Sequence, residues 1–150
     1  VQKEIADEDK AVVYDIGSNS NSNDSSGGGD SGDCDTVIIS WGSTKGAILD
    51  AMDKLATEGM RVKFIQLRLM HPFPSELVKS MLTGAKTVID IEMNYSGQLG
   101  SLLRQNTGQE AQYQIVKFNG RPMSVDEVYN AVKRIIHGDA QRRQVLKSGA

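Results

Sequence analysis

Residues 36–46, TVIISWGSTKG, decide the fold. Val37, Ile38 and Ile39 make a β-branched apolar run that ends at Trp41 and passes through Gly42 and Ser43 into a helical pattern, the signature of a buried strand feeding a helix through a tight turn. Ala47, Ile48, Ala51, Met52, Leu55 and Ala56 fall on one helical face, and Gly59 offers a left-handed stop. Similar units follow three more times, so this first one sets the register of a parallel sheet.

Downstream, residues 61–67 alternate as a strand with Val62, Phe64 and Leu67 apolar, until His71-Pro72-Phe73-Pro74 breaks it. Pro74 suits the first turn of a helix that buries Leu77, Val78, Met81 and Leu82 and stops at Gly84. Residues 87–92 form the next strand, followed by a helix with Leu99, Leu102 and Leu103 on one face, and residues 112–118 form the fourth. The last helix opens with a capping box from Ser124 to Glu127, worth about 1 kcal/mol, with Met123 and Val128 as a hydrophobic staple. Its buried stripe is Val128, Tyr129, Val132, Ile135 and Ile136, and Gly138 ends it. Strands start about every 25 residues, but the asparagine–leucine ladder of a leucine-rich solenoid is absent. A doubly wound α/β/α sandwich accounts for the pattern better.

Upstream, residues 1–10 are a charged lead-in and 11–16, AVVYDI, have strand composition. The tract SNSNSNDSSGGGDSGDCD, residues 18–35, carries no large apolar side chain and reads as a linker or insertion. The alternative, that Gly27, Gly28 and Gly29 cradle a phosphate, is not the expected one, because such loops join a strand directly to a helix N-terminus. The expected division is therefore 1–17, lead-in and first strand; 18–35, linker; 36–138, α/β/α domain; and 139–150, tail. In that tail Arg142, Arg143 and Lys147, beside Lys133 and Arg134, read as a solvated helix face.

With 17 Lys and Arg against 19 Asp and Glu, the net charge of −2 gives no field for a phosphate backbone, which argues against nucleic acid as partner. No apolar run approaches the roughly 20 residues that cross a bilayer, and the charged start has no signal-peptide character, so a cytoplasmic protein is expected. A chain opening on Val1 is compatible with a piece of something longer. The single cysteine, Cys34, cannot by itself hold an iron–sulfur cluster, which takes about four thiolates.

Catalytic signals are sparse. Gly42 and Gly46 are spaced wrongly for a dinucleotide fingerprint, and no P-loop occurs. His71 and His137 lack partners at metal-ligand spacing and read as structural or surface residues. Ser43, Thr44 and Lys45 open a helix beside a strand end, where an anion could sit, although simple capping by Ser43 is the expected role. Asp90 and Glu92, two apart on a strand, point to one face and can share a proton. No nucleophile accompanies them, and no catalytic, cofactor-binding or metal-ligating residue is assigned.

The succession TVIISWGSTKGAILDAMDKLATEGMRVKFIQLRLMHPFP, VIDIEMNYSGQLGSLLRQ and KFNGRPMSVDEV closely resembles the C-terminal part of the alpha subunit of 2-oxoacid:ferredoxin oxidoreductases. Three motifs carry the likeness: Trp41-Gly42-Ser43 with Gly46, the segment from Leu67 to Pro74, and Glu92-x-Asn94-Tyr95-x-Gly97-Gln98-Leu99. The Gly97-Gln98-Leu99 form looks more like the 2-oxoglutarate or broad-specificity branch than the pyruvate branch.

The resemblance implies a fold similar to the transketolase C-terminal domain: a three-layer sandwich on a five-stranded mixed sheet, ordered 1-3-2-4-5, with only the first strand antiparallel. It also implies a complex that converts a 2-oxoacid and coenzyme A to acyl-CoA and carbon dioxide and passes electrons to ferredoxin. Thiamine diphosphate would sit between other domains, with its magnesium motif and the [4Fe–4S] cysteines largely on the partner beta subunit. This chain would then be a non-catalytic structural and assembly domain; the alternative is an independent flavodoxin-like module that binds an anion or nucleotide. The crevice at the topological switch point would be lined by Trp41, Gly42, Ser43, Asn94, Tyr95, Gly97 and Gln98, and is expected to be buried against the rest of the alpha–beta assembly.

Overall fold

The computed structural model describes residues 4–16 and 35–147, so Cys34 and all of the expected linker except Asp35 lie outside the described residues. In chain order the elements are α1 (Asp7–Lys10), β1 (Ala11–Asp15), β2 (Thr36–Trp41), a 3-10 turn (Gly42–Thr44), α2 (Lys45–Thr57), β3 (Lys63–Leu67) and α3 (Ser75–Met81). They continue with β4 (Thr87–Glu92), α4 (Gln98–Thr107), β5 (Tyr113–Val116), α5 (Val125–Ile136) and β6 (Arg143–Val145).

The sheet runs β1-β3-β2-β4-β5-β6. β1 is antiparallel to β3, with Ala11 opposite Leu67, and the remaining pairs are parallel. The expected order and mixed sense are therefore present, with one correction: the sheet has six strands, not five. Residues 143–145 are not a solvated helix face; they add a parallel edge strand to β5, with Gln114 opposite Arg143. Backbone bonds hold it, from Gln114 N–H to Arg142 O at 2.7 Å and from Leu146 N–H to Val116 O at 2.8 Å. An edge strand needs only backbone pairing and tolerates charged side chains, so no apolar run marks it in the sequence.

Alternation along the strands divides the core. On one face Ile38, Phe64, Ile89, Ile91 and Ile115 meet Ile48, Met52 and Leu55 of α2 and Val128, Val132 and Ile135 of α5. On the other, Val37, Ile39, Ile65, Leu67 and Val88 meet Val78 and Leu82 beside α3 and Leu99 and Leu103 of α4. Each fully buried aliphatic or aromatic side chain contributes about 1.5–3 kcal/mol, so these two layers set the order of helices and strands. The capping box of α5 is formed in full, with Ser124 Oγ accepting the Glu127 N–H and Glu127 accepting the Ser124 N–H.

Asp90 and Glu92 are fully buried on the α3/α4 face, at the C-terminal end of β4. On the α2/α5 side Ser40 Oγ donates to Ile91 O at 2.6 Å and lies 2.6 Å from Thr44 Oγ1, stapling the end of β2 to β4.

Candidate functional site

The C-terminal ends of β2, β4 and β5 lie side by side, and a single carboxylate organises the loops that leave them. Glu92, the last residue of β4, accepts three N–H groups on Oε1: Trp41 Nε1 at 3.2 Å, Asn94 Nδ2 at 3.0 Å and the Leu99 backbone at 2.8 Å. Its Oε2 faces the Gly100 N–H at 3.5 Å. Leu99 and Gly100 lie in the first turn of α4, so the carboxylate satisfies donors that the helix cannot and sits at the positive end of its dipole. Asn94 Oδ1 completes the turn by accepting the Gly97 N–H at 2.7 Å and the Gln98 N–H at 3.4 Å.

Two glycines let α4 approach this closely. Gly97 has φ of +64°, and a Cβ there would lie 2.6 Å from Gln114 Nε2. A Cβ on Gly100 would lie 2.7 Å from the same nitrogen and 2.8 Å from Asp90 Oδ2. Gln114, on β5, donates to Asp90 Oδ2 at 3.4 Å, whereas Asp90 Oδ1 is buried with no N–H partner.

The two acidic side chains behave as a pair. Burial, then the hydrogen bond and the charge of Glu92, push the Asp90 carboxyl up to about 9. Burial would also raise Glu92, but hydrogen bonds from Asp90, the Leu99 backbone, Asn94 and Trp41 outweigh it and hold the group below its ordinary value. These opposed shifts make Asp90 the neutral member of the pair and Glu92 the ionised one at neutral pH.

Outside this buried support the edge is aromatic and open. Tyr95 is 67% exposed, Phe118 50% and Trp41 39%. Tyr95 and Phe118 meet edge to face with centroids 5.0 Å apart, and Arg143 stacks over the Tyr95 ring at 4.9 Å while donating to its backbone carbonyl.

Of the seven residues expected to line the crevice, Trp41, Asn94 and Gly97 are joined through the Glu92 network, and Gln98 opens α4 with its side chain exposed. Tyr95 stands on the surface beside Phe118, and Gly42 and Ser43 occupy the exposed turn after Trp41. Ser43 does not cap α2 as expected. The 3-10 turn moves Thr44 to the cap position, where its hydroxyl bonds to Ser40 and to Trp41 O at 3.3 Å and no side chain caps the helix. Lys45 lies 5.0 Å from the centre of the Tyr14 ring. Residues missed from the sequence are Gly100, Gln114, Phe118 and Arg143. The three-residue spacing of Gly97 and Gly100 at a helix start was the one readable signal of close approach.

Residues 34–128 match the pyruvate:ferredoxin oxidoreductase core domain II family. The chain belongs to that family. This domain II is 48% identical over 118 residues to the 2-oxoacid:ferredoxin oxidoreductase subunit alpha of Saccharolobus solfataricus, a match covering 79% of the chain and 18% of that subunit. The chain thus spans less than a fifth of that relative's length. Among solved structures, 2-oxoglutarate:ferredoxin oxidoreductase from Magnetococcus marinus, with 2-oxoglutarate, coenzyme A and succinyl-CoA bound, superposes with a TM-score of 0.69 and 29% identity. That likeness covers 84% of this chain and 19% of the other. A split-gene transketolase, described as an inactive beta4 tetramer, superposes with a TM-score of 0.55 at 19% identity over 69% of this chain and 39% of its own. It establishes the transketolase-like fold of domain II.

The described residues of domain II do not fit a metal. Among the described residues no three His, Cys, Asp or Glu side chains converge. The one buried carboxylate pair is already committed, Glu92 to N–H donors and Asp90 to its proton.

Proposed function

We propose that this chain is a non-catalytic docking and assembly domain of the alpha subunit of a thiamine-diphosphate-dependent 2-oxoacid:ferredoxin oxidoreductase, working in the cytoplasm. The observation that carries the reading is an exposed aromatic edge, Trp41, Tyr95 and Phe118, mounted on a buried support that Glu92 ties together. Aromatic and arginine side chains dominate interface centres, and glycines at 42 and 97 let another backbone come close. Trp41, Gly42, Ser43, Asn94, Tyr95, Gly97 and Gln98 would then face the rest of the alpha subunit or the beta subunit, with ferredoxin reached only indirectly.

In this reading thiamine diphosphate, magnesium and the [4Fe–4S] cluster belong to other parts of the complex. The Gly97-Gln98-Leu99 form, together with the likeness to the Magnetococcus enzyme, favours 2-oxoglutarate or a broad range of 2-oxoacids as substrate of the whole. The core domain takes in residues 36–138 together with β1 and the edge strand β6.

Trp41 is the single tryptophan, so its emission reports on the edge. The remaining alpha subunit or the beta subunit should shift it, while coenzyme A, thiamine diphosphate, NAD and ATP at millimolar concentration should not. Saturable quenching by one of those small molecules would replace the assembly role with a flavodoxin-like ligand module. The chain alone should give no 2-oxoacid-dependent dye reduction.

A further inference from the structure

The buried pair beneath the edge has a chemistry that the assembly role does not use. Asp90 Oδ1 is shut away from water, and every N–H within reach of the pair is taken: Gln114 by Asp90 Oδ2, and Trp41, Asn94, Leu99 and Gly100 by Glu92. The neighbour left to partner Asp90 Oδ1 is the Glu92 carboxyl, buried two residues along on the same face of β4 and, like Asp90, set against Gly100 in the first turn of α4. Two carboxyl oxygens that face each other in an apolar layer repel unless a proton lies between them. Glu92 already accepts three N–H groups on one oxygen, a pattern that suits an anion, so the proton resides on Asp90.

We propose that Asp90 is a positioning residue that acts as a hydrogen-bond donor: its carboxyl proton holds Glu92 in place, and Glu92 in turn fixes Trp41, Asn94 and the first turn of α4. The proposal rests on the assembly role for the meaning of that edge, but not for its chemistry. Loss of the proton sets two carboxylates against each other in a layer without a counter-ion. Glu92 must then swing away, releasing the Trp41 indole and the Leu99 N–H together.

The groups facing the pair are Gln114 from β5, Asn94, the Trp41 indole from β2 and the backbone of α4, none of which titrates near neutrality. Charged side chains line the shallow pocket beyond Gly100 and Gln114: Arg104, Glu110 and Arg142. They are paired with one another, Arg104 to Glu110 at 3.1 Å and Arg142 to Glu110 at 3.9 Å. Among the groups that face the pair, Asp90 alone can then carry a transition on the alkaline side.

The test uses the whole 150-residue chain and reads Trp41 emission and the infrared carbonyl band of a protonated carboxyl. At neutral pH the wild type should show that band, and Asp90→Asn should lack it while keeping wild-type emission, because an amide donates to Glu92 without a titratable proton. On raising the pH, wild-type emission should shift with a midpoint near 9 while circular dichroism stays native, and Asp90→Asn should stay flat. Asp90→Ala, with no donor, should show the released-tryptophan emission already at neutral pH. Absence of the band from the wild type, or an identical alkaline shift in Asp90→Asn, would overturn the proposal. If the titration appears as described but the partner subunits leave Trp41 unmoved, the positioning role of Asp90 stands and the assembly role fails.

Discussion

Lys117 Nζ lies 2.8 Å from Glu127 Oε2, both side chains almost wholly buried, and the same oxygen accepts the Ser124 N–H. The lysine also donates to Pro122 O at 2.9 Å. The segment after β5 is thus tied to the first turn of α5 by a carboxylate that serves the capping box and the ion pair at once. Lys117→Met should destabilise the chain by about 3–5 kcal/mol in urea unfolding, because it strands a buried carboxylate. Adding Glu127→Gln, which retains a capping-box acceptor, should recover part of that loss. Additive costs in the double variant would contradict a direct coupling.

Gly46 and Gly100 both lie in helices yet should respond to alanine with opposite sign. Nothing lies within 4 Å of a Cβ built on Gly46, so Gly46→Ala should stabilise by about 0.4–1 kcal/mol through the unfolded chain. At Gly100 the added methyl meets Gln114 Nε2 at 2.7 Å and Asp90 Oδ2 at 2.8 Å. Gly100→Ala should therefore destabilise by about 1–3 kcal/mol, and thermal melts of the two variants should move apart.

That contrast marks how far the sequence could be read. The central strands announce themselves as β-branched runs and α5 by Ser124 and Glu127, since local periodicity and caps are local properties. The pairing of Asp90 with Glu92 followed from strand alternation. Gly100 against Gln114, and Arg143 over Tyr95, join residues 14 and 48 positions apart and depend on how elements pack. Ser43 was misassigned as a cap because a 3-10 turn shifts the helix start by one residue, which composition does not reveal.

Stability should depend on pH through the buried pair, in two opposed senses. Asp90 has a folded pKa raised from 3.8 to about 9, so its contribution is complete below about pH 4 and is lost as pH climbs toward 9. Glu92 is held below 4.5, so its contribution is present above that value and lost as pH falls further. From about pH 5 to 9 unfolding free energy should therefore decline, with a limiting slope of about 1.4 kcal/mol per pH unit for one proton. Asp90→Asn should flatten this region and be the more stable protein at pH 8. Urea titrations at pH 5, 6.5 and 8 measure the slope, and an unchanged slope in the variant would place the proton elsewhere.

The docking edge makes the last prediction, because its exposed rings add little to the fold and should add much to association. Tyr95 and Phe118 meet edge to face, an arrangement worth about 0.5–1.5 kcal/mol beyond area, and both are half or more exposed. Replacing both by Ala should lower folding stability by about that amount. If the edge is the centre of an interface, the same change removes two anchors of the kind that each contribute about 2 kcal/mol or more, so affinity for the remaining alpha subunit should fall about a thousandfold if the losses add, and no less than the roughly thirtyfold of a single anchor. Ile136 provides the control: it is also exposed and apolar, but it ends α5 at the opposite end of the sheet, where the strands begin. Ile136→Ser should leave association unchanged in a calorimetric titration. Equal losses from Tyr95→Ala/Phe118→Ala and Ile136→Ser would mean that the partner grips the helical layer and not the strand ends, whereas loss from the aromatic pair alone locates the contact at the edge that Glu92 holds in place.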